Sequence, residues 1–157
     1  MRILALDPGY ERLGIALIEQ INRKETLLYS DCFQTKSSLT FPERLHLLGE
    51  ELEKLFQEYE PEVLAIEKLY FNSNQKTAMA VSQMRGMAIY LAKKYKMDVF
   101  EYTPGQIKSA VTGYGKSTKK QIITMVPKLI SVEKDIKYDD EFDAIAVGLT
   151  CFASERF

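Results

Sequence analysis

The chain has 157 residues, of which 46% are hydrophobic and 27% are charged. This length and balance are typical of one globular domain with a single sizeable core, so we expect residues 1–157 to form one domain. The formal net charge of −1 excludes a protein that binds nucleic acid through an overall positive charge, and phosphate binding would need a local basic patch.

The first part of the chain predicts three strands, a helix and a fourth strand. Residues 2–8 form a short apolar run that ends in a turn sequence, Asp-Pro-Gly, and residues 13–20 and 26–34 form two more runs of this kind. Apolar residues then recur every three or four positions over residues 41–59, which predicts a helix. Residues 62–67 are a fourth strand.

The rest of the chain predicts four more helices and one more strand. The helices cover residues 74–95 and 104–111, then from Ser117 or Thr118 to about 126, and residues 140–153, and the strand covers residues 97–102. Thr103 and Pro104 suit the first turn of the second of these helices. Pro127 predicts a kink or an end in the third, because proline cannot donate a helical hydrogen bond.

This order of elements predicts an α/β fold. Three consecutive strands joined by short connections form an antiparallel meander. The two later strands are each reached through a helix and join the sheet in parallel by right-handed crossovers. We therefore expect a mixed five-stranded sheet with helices on both faces.

The predicted helix over residues 74–95 is apolar almost all the way round. A helix of this kind needs two surfaces to pack against, and the sheet supplies only one. Met79, Met87 and Tyr90 lie on the side away from the sheet in this prediction. They are a candidate contact for a twofold dimer, and the alternative is a helix in the centre of a monomer.

The few histidines and cysteines exclude several mechanisms. The single histidine, His46, lies on the polar side of a predicted helix, which leaves no basis for a Ser-His-Asp triad or a two-histidine zinc site. Cys32 and Cys151 sit among apolar neighbours and are expected to be small buried side chains. Neither a signal segment nor a membrane-spanning run is evident, so we expect a cytoplasmic protein that does not contact membranes.

Acidic residues carry the predicted chemistry. Asp7 and Glu67 each end a predicted buried strand, and Asp140 and Asp143 lie three residues apart at the start of the last helix. Each could have an ordinary role in a turn or at a helix N-terminus. Buried carboxylates are costly without a partner, however, and no lysine or arginine is evidently placed to serve all four. Divalent cations such as Mg²⁺ or Mn²⁺ would compensate the group, and two such ions promote phosphodiester hydrolysis.

Several segments together resemble the RuvC-type Holliday-junction resolvases, which are crossover junction endodeoxyribonucleases. The segments are Asp7-Pro8-Gly9, Ala65-Ile66-Glu67, Gln83-Met84-Arg85-Gly86, Gln106-Ile107-Lys108, Gly113-Tyr114-Gly115 with Lys119, and Asp140-Glu141-Phe142-Asp143-Ala144. The resemblance implies a ribonuclease H-like fold and a homodimer that cuts two opposed strands of a four-way DNA junction symmetrically with Mg²⁺. It also implies a role in recombination and repair, with a branch-migration complex as a partner.

The resemblance also assigns residues. It implies that Asp7, Glu67, Asp140 and Asp143 are metal ligands, with Asp139 as the alternative to Asp140. It implies DNA contacts for an aromatic residue, Tyr70 or Phe71, and for Lys108 and Lys119, with Lys116 and Lys120 as additional candidates. The four lysines lie within residues 108–120, and they are the local basic patch that the net charge requires.

Other functions remain open at this point. Gly115-Lys116-Ser117-Thr118 looks like the end of a nucleotide-binding P-loop, but Ala110 stands where the motif needs glycine, and the preceding segment predicts a helix. We therefore expect no nucleotide cofactor. An actin-like ATPase would need a second domain of the same type. A RuvC-like nuclease that processes RNA and a junction-binding module without catalysis are the remaining alternatives.

Overall fold

The computed structural model describes residues 1–69 and 75–157, and residues 75 and 76 by their backbone alone. The strands are β1 (Arg2–Asp7), β2 (Arg12–Ile21), β3 (Lys24–Gln34), β4 (Val63–Glu67) and β5 (Asp98–Tyr102). The helices are α1 (Phe41–Tyr59), α2 (Gln75–Lys94), α3 (Pro104–Thr112), α4 (Lys119–Leu129) and α5 (Asp139–Ser154). The predicted elements are all present, with boundaries displaced by one or two residues in most cases.

The strands form one mixed sheet in the order β3-β2-β1-β4-β5. The pairs β1–β2 and β2–β3 are antiparallel, whereas β1–β4 and β4–β5 are parallel. This arrangement confirms the predicted antiparallel start followed by parallel strands. It also places β1 in the middle of the sheet, with β4 beside it.

Each face of the sheet carries its own hydrophobic core. Side chains alternate between the two faces along a strand, so Ala5 packs against α3, α4 and α5, whereas Leu4 and Leu6 pack against α1 and α2. The strands β1 and β4 are therefore apolar in every position between their ends, as a sheet covered on both faces requires. None of the helices in the described part of the chain is long and apolar enough to cross a membrane.

Pro127 neither stops α4 nor begins a new element. The helix includes Pro127 and ends two residues later, at Leu129. In the last turn, the missing N–H of a proline removes one hydrogen bond from a helix that is about to end. The predicted end at about residue 126 was therefore too early.

The long helix α2 has one clearly buried face. Met84 and Ala88 are fully buried between α1 and the sheet. Met79 is 62% exposed and Tyr90 is 67% exposed. Met87 is only half-buried and packs on the same core, near Gly49 of α1. Of the three residues predicted to form a dimer contact, Met79 and Tyr90 are thus on the surface, and Met87 is largely occupied within its own chain.

Candidate active site

Two of the predicted acidic residues end neighbouring parallel strands. Leu6 of β1 pairs with Ile66 of β4, so the next residues, Asp7 and Glu67, finish their strands side by side. Leu6 and Ile66 pack against α1 and α2. Because side chains alternate, Asp7 and Glu67 point to the opposite face of the sheet, where α3, α4 and α5 lie.

The start of α5 reaches these strand ends because β2 carries a glycine at the point of contact. Gly14 pairs with Asp7 across the hairpin. A Cβ atom at Gly14 would lie 2.0 Å from the carbonyl oxygen of Asp140 and 3.1 Å from Cβ of Asp7. Only a residue without a side chain allows the backbone of α5 to come so close to the sheet. Gly14 therefore brings Asp140 and Asp143 to the edge where Asp7 and Glu67 end.

The three aspartates in the first turns of α5 are divided between two basic side chains. Lys119, the first residue of α4, has its Nζ 2.7 Å from Oδ2 of Asp139 and 2.7 Å from Oδ2 of Asp143. Asp140 lies instead beside Arg12 of β2, with 3.4 Å between Arg12 Nε and Asp140 Oδ2. Sequence reasoning did not identify any of these three ion pairs.

Asp7 is the most perturbed acid of the group. Burial, followed by the negative charges of Asp143, Glu67 and Asp140, raises the pKa of Asp7 from 3.8 to about 8. Lys119 acts in the opposite direction. Such a perturbed carboxyl group at the meeting point of several acids is typical of a functional site.

Two other acids of the group are shifted in the same direction. Burial, followed by the charge of Asp143, raises the pKa of Glu67, while Lys119, Lys108 and Arg85 lower it. Burial also raises the pKa of Asp143, although Lys119 opposes this shift. Asp7, Glu67 and Asp143 therefore repel one another electrostatically when they are ionised. A positive charge that enters the cluster stabilises several carboxylates at once.

Asp139 behaves differently from its neighbours. Its hydrogen bond from Lys119 holds the pKa of Asp139 below its ordinary value. Its side chain is 42% exposed, compared with 18% for Asp143 and 17% for Asp140. Asp139 therefore lies at the rim of the cluster.

A small cavity opens beside the acids. It has a volume of about 240 Å³ and is lined by Glu67, Asp143, Lys108, Lys119, Pro104, Ile107 and Ile122. Two acids of the cluster thus share one cavity wall with two of the lysines predicted to contact DNA. The arrangement suits a phosphate group whose charge meets the lysines while its phosphorus approaches the acids.

The carboxylate oxygens of the cluster suit a divalent cation, although the four side chains do not point to one common position. Carboxylate oxygens are the ligands that Mg²⁺ and Mn²⁺ prefer. Within residues 1–69 and 75–157, no group of three or more His, Cys, Asp or Glu side chains is close enough to hold a metal ion. The reason is visible in the ion pairs: Asp143 is turned to Lys119, and Asp140 is turned to Arg12. These two carboxylates would have to exchange a basic side chain for the metal.

The other two lysines predicted to contact DNA, Lys116 and Lys120, do not line this cavity. The loop between α3 and α4 carries Lys116, which is exposed. Lys120 lines a separate depression on α4 with Gln121 and Thr124. The two aromatic candidates, Tyr70 and Phe71, lie outside the described residues. The DNA-binding roles of all these residues stay predictions.

The loop that resembles a P-loop has a different structure. It follows helix α3 rather than a strand. Ser117 is buried, and its hydroxyl group donates to the carbonyl oxygen of Tyr114 at 2.7 Å. Thr118 caps α4 by accepting from the backbone N–H of Gln121. The loop therefore serves to begin α4 at Lys119.

Three residues near the cluster were missed from the sequence. Arg12 pairs with Asp140, and the thiol of Cys32 lies 4.0 Å from Oδ2 of the same residue. Arg85 forms an ion pair with Glu101. The hairpin register of β1, β2 and β3 brings Arg12 and Cys32 together, but a pattern of apolar runs does not specify that register. The segment around Arg85 belonged to the family resemblance without a role of its own.

Comparisons with known proteins agree with this arrangement. A family model described as Crossover junction endodeoxyribonuclease RuvC matches residues 3–151. The curated protein of that name from Alkaliphilus metalliredigens (strain QYMF) is 40% identical over 157 residues, which are 100% of this chain and 96% of the relative. Its counterpart from Desulforamulus reducens is 43% identical over 150 residues, which are 95% of this chain and 91% of the relative.

A solved structure extends the likeness to the fold. T. thermophilus RuvC in complex with Holliday junction substrate matches with a TM-score of 0.87 at 24% sequence identity, covering 96% of this chain and 92% of that chain. This likeness confirms the predicted ribonuclease H-like arrangement of a mixed sheet between two layers of helices.

Proposed function

The chain belongs to the RuvC family of crossover junction endodeoxyribonucleases, and we propose that it resolves four-way DNA junctions by metal-dependent hydrolysis of phosphodiester bonds. In this proposal it acts in recombination and DNA repair, and it cuts two opposed strands of the junction symmetrically.

One observation carries the proposal: a buried carboxyl group, Asp7, lies among three further acids. Burial and the charges of Asp143, Glu67 and Asp140 together raise the pKa of Asp7 to about 8. Such a cluster is unfavourable in a protein that has only to fold. It becomes favourable when cations enter and are held by the carboxylates.

We assign Asp7, Glu67, Asp140 and Asp143 as the residues that would hold Mg²⁺, with Mn²⁺ as a substitute and two ions in each site. When bound, such ions activate water and stabilise the leaving oxygen of a phosphodiester. The contribution of the chain is to keep the four acids at one sheet edge. Asp7 and Glu67 are held by strand pairing, and Asp140 and Asp143 by the close approach of α5 to Gly14.

The lysines would bind the DNA backbone. Lys108 and Lys119 line the cavity beside the acids, so a phosphate there would meet two positive charges. Lys116 and Lys120 would extend this contact along the strand. Phosphate contacts of this kind position the DNA without reading its sequence. Tyr70 or Phe71 would stack on a junction base.

Paired cutting requires two active sites, which a homodimer supplies. Met79 and Tyr90 are exposed apolar side chains on α2, and eleven residues, close to three helical turns, separate them, so they share one face. We propose this face as the twofold contact. A branch-migration complex is the proposed partner that would present the junction.

The test is cleavage of a synthetic mobile four-way junction with mapped cut sites. We expect the wild type to cut opposed strands when Mg²⁺ is present. Asp7→Asn should bind the junction with similar affinity and cut it at least about a thousandfold more slowly, because a site that depends on metal ions loses several kcal/mol of transition-state stabilisation.

The matched control is Asp98→Asn. Asp98 is also an aspartate next to β4, but it begins β5 at the opposite end of the sheet, and its side chain is 78% exposed. This variant should cut like the wild type. Equal rates for Asp7→Asn and the wild type would refute the assignment of the site. Faster cleavage of structured RNA would favour an RNA-processing nuclease, and binding without cleavage by the wild type would indicate a non-catalytic module.

A further inference from the structure

Lys119 occupies an unusual position for a lysine. It is the first residue of α4, directly after the cap Thr118. The N-terminus of a helix carries a partial positive charge, so a lysine there is disfavoured unless acids offset it. Asp139 and Asp143 do so, each with an oxygen 2.7 Å from Lys119 Nζ. The ammonium group thus bridges two carboxylates, one of which is a proposed metal ligand.

The second lysine of the cavity does not form such a bridge. Lys108 lines the same cavity as Lys119, and its charge also lowers the pKa of Glu67. Among the described residues, however, Lys108 has no carboxylate within ion-pair distance. The cavity therefore contains one lysine that is fixed on the acids and one that only contributes its charge.

Asp139 has the properties of a holding group. It is more exposed than Asp143 and Asp140, and its hydrogen bond from Lys119 is the largest influence on its lowered pKa. It lies four residues before Asp143 on α5, so both carboxylates project toward Lys119 from one helical face.

We propose that Asp139 holds Lys119 against Asp143, and that this lysine closes the metal site of the free protein. The ammonium group of Lys119 and a divalent cation then compete for the Asp143 carboxylate. A DNA phosphate that takes Lys119 releases Asp143 for the metal. This regulation rests on the proposed function, since it concerns the same acids.

The proposal makes metal binding and DNA binding mutually dependent. Whatever free energy DNA contributes to the release of Lys119 also appears as tighter metal binding, because coupling between two sites is reciprocal. A free protein molecule would then bind metal weakly, and a protein molecule on a junction would bind it tightly. Asp139 is thereby a positioning residue that acts through Lys119, not a metal ligand.

The test measures Mn²⁺ affinity in the absence of DNA by the electron paramagnetic resonance signal of free Mn²⁺. Lys119→Met should bind Mn²⁺ about tenfold more tightly than the wild type, as expected for the loss of a partly exposed double ion pair. Lys108→Met removes a neighbouring positive charge without an ion pair, so its effect should be below about threefold. Equal effects of the two substitutions would overturn the proposal, because general charge would then explain both.

A second pair of variants tests Asp139 itself. Asp139→Asn should bind Mn²⁺ more tightly than the wild type, because Lys119 is then held less firmly on Asp143. Asp140→Asn should lose most of its Mn²⁺ binding, although both substitutions remove one negative charge from adjacent positions. Loss of Mn²⁺ binding in Asp139→Asn would make Asp139 a ligand and contradict the proposal. Circular dichroism of each variant would separate this result from misfolding.

The release by DNA is tested with Ca²⁺ calorimetry on the protein alone and on its junction complex, while a gel establishes that the junction stays intact. The complex of the wild type should bind Ca²⁺ more tightly than the free protein, and Lys119→Met should show little difference between the two states. An unchanged Ca²⁺ affinity for the wild type would overturn the release step. The proposed function fails by a different result, which is the absence of junction cleavage by the wild type.

Discussion

Asp7→Asn is expected to make the metal-free protein more stable at neutral pH while it abolishes cleavage. The reason is the cost of keeping an acid in this position. An aspartate carboxyl group that is exposed to water has a pKa of 3.8, and burial among other acids raises the pKa of Asp7 to about 8 in the folded protein. An asparagine side chain of nearly the same shape does not ionise.

The sign follows from proton binding. Between pH 3.8 and about 8 the folded protein keeps a proton on Asp7 that the unfolded chain has lost. The contribution of Asp7 to the free energy of unfolding is therefore fully present below pH 3.8, and it is lost as the pH rises toward about 8. Each pH unit above 3.8 lowers the free energy of unfolding by about 1.4 kcal/mol. At pH 7, about three units above the ordinary pKa of 3.8, the loss amounts to about 4 kcal/mol.

The assay is urea unfolding in a metal chelator at several pH values between 4 and 8. Wild type and Asp7→Asn should differ little at pH 4, and the variant should be more stable by up to about 4 kcal/mol at pH 7. Asp98→Asn, which removes an exposed carboxylate far from the cluster, should follow the wild type. Parallel pH profiles for the wild type and Asp7→Asn would refute the reasoning that burial and neighbouring acids perturb Asp7.

Mg²⁺ should reduce the difference in free energy of unfolding between the wild type and Asp7→Asn. A ligand that binds only the folded state stabilises it by about 2.7 kcal/mol at a concentration a hundred times its dissociation constant. The wild type should gain this stability, and Asp7→Asn should gain much less because it lacks one proposed ligand. Stability at this position is given up for function, as is common at active sites.

Two further predictions concern the placement of α5 and the surface of α2. Gly14→Ala should lower the free energy of unfolding by about 1–3 kcal/mol or more, because its Cβ would lie 2.0 Å from the carbonyl oxygen of Asp140. Gly86→Ala, where nothing lies within 4 Å of the added Cβ, should be neutral or stabilising in the same urea assay, and a smaller loss for Gly14→Ala would contradict the close approach. Met79→Glu should halve the mass measured by analytical ultracentrifugation if the proposed dimer forms. Leu129→Glu, on an exposed apolar residue of α4, should leave that mass unchanged, and an unchanged mass for Met79→Glu would contradict the assigned contact.

The fold was predictable because it depends on periodicity and on the order of elements. The runs around Leu4 and Leu64 are continuously apolar, which is what a strand covered on both faces requires. The order of strands and helices then restricts the topology through the handedness of crossovers. The predicted end of α4 was too early because proline disrupts helices mainly in their interior, and Pro127 lies in the final turn of α4.

The meeting of the four acids at one edge of the sheet was predictable, but their ion-pair partners were not. Asp7 and Glu67 follow from strand ends, which sequence patterns locate to within a residue or two. The ion pair of Lys119 depends on how α4 packs beside α5, and that of Arg12 depends on how α5 approaches β2. Both are long-range distances of a few ångströms, and no local pattern encodes them.

The choice between Asp139 and Asp140 shows why helical spacing alone could not decide which acids act together. Residues three and four positions apart are both neighbours on a helix, because one turn contains 3.6 residues. Asp143 can therefore pair with Asp140, three residues before it, or with Asp139, four residues before it. In the structure Lys119 bridges Asp139 and Asp143, whereas the proposed metal site uses Asp140 and Asp143. Asp143 belongs to both pairs, so the cation that it binds determines which of these neighbours it acts with. Opening the site then requires the exchange of Lys119 at Asp143 together with the release of Asp140 from Arg12.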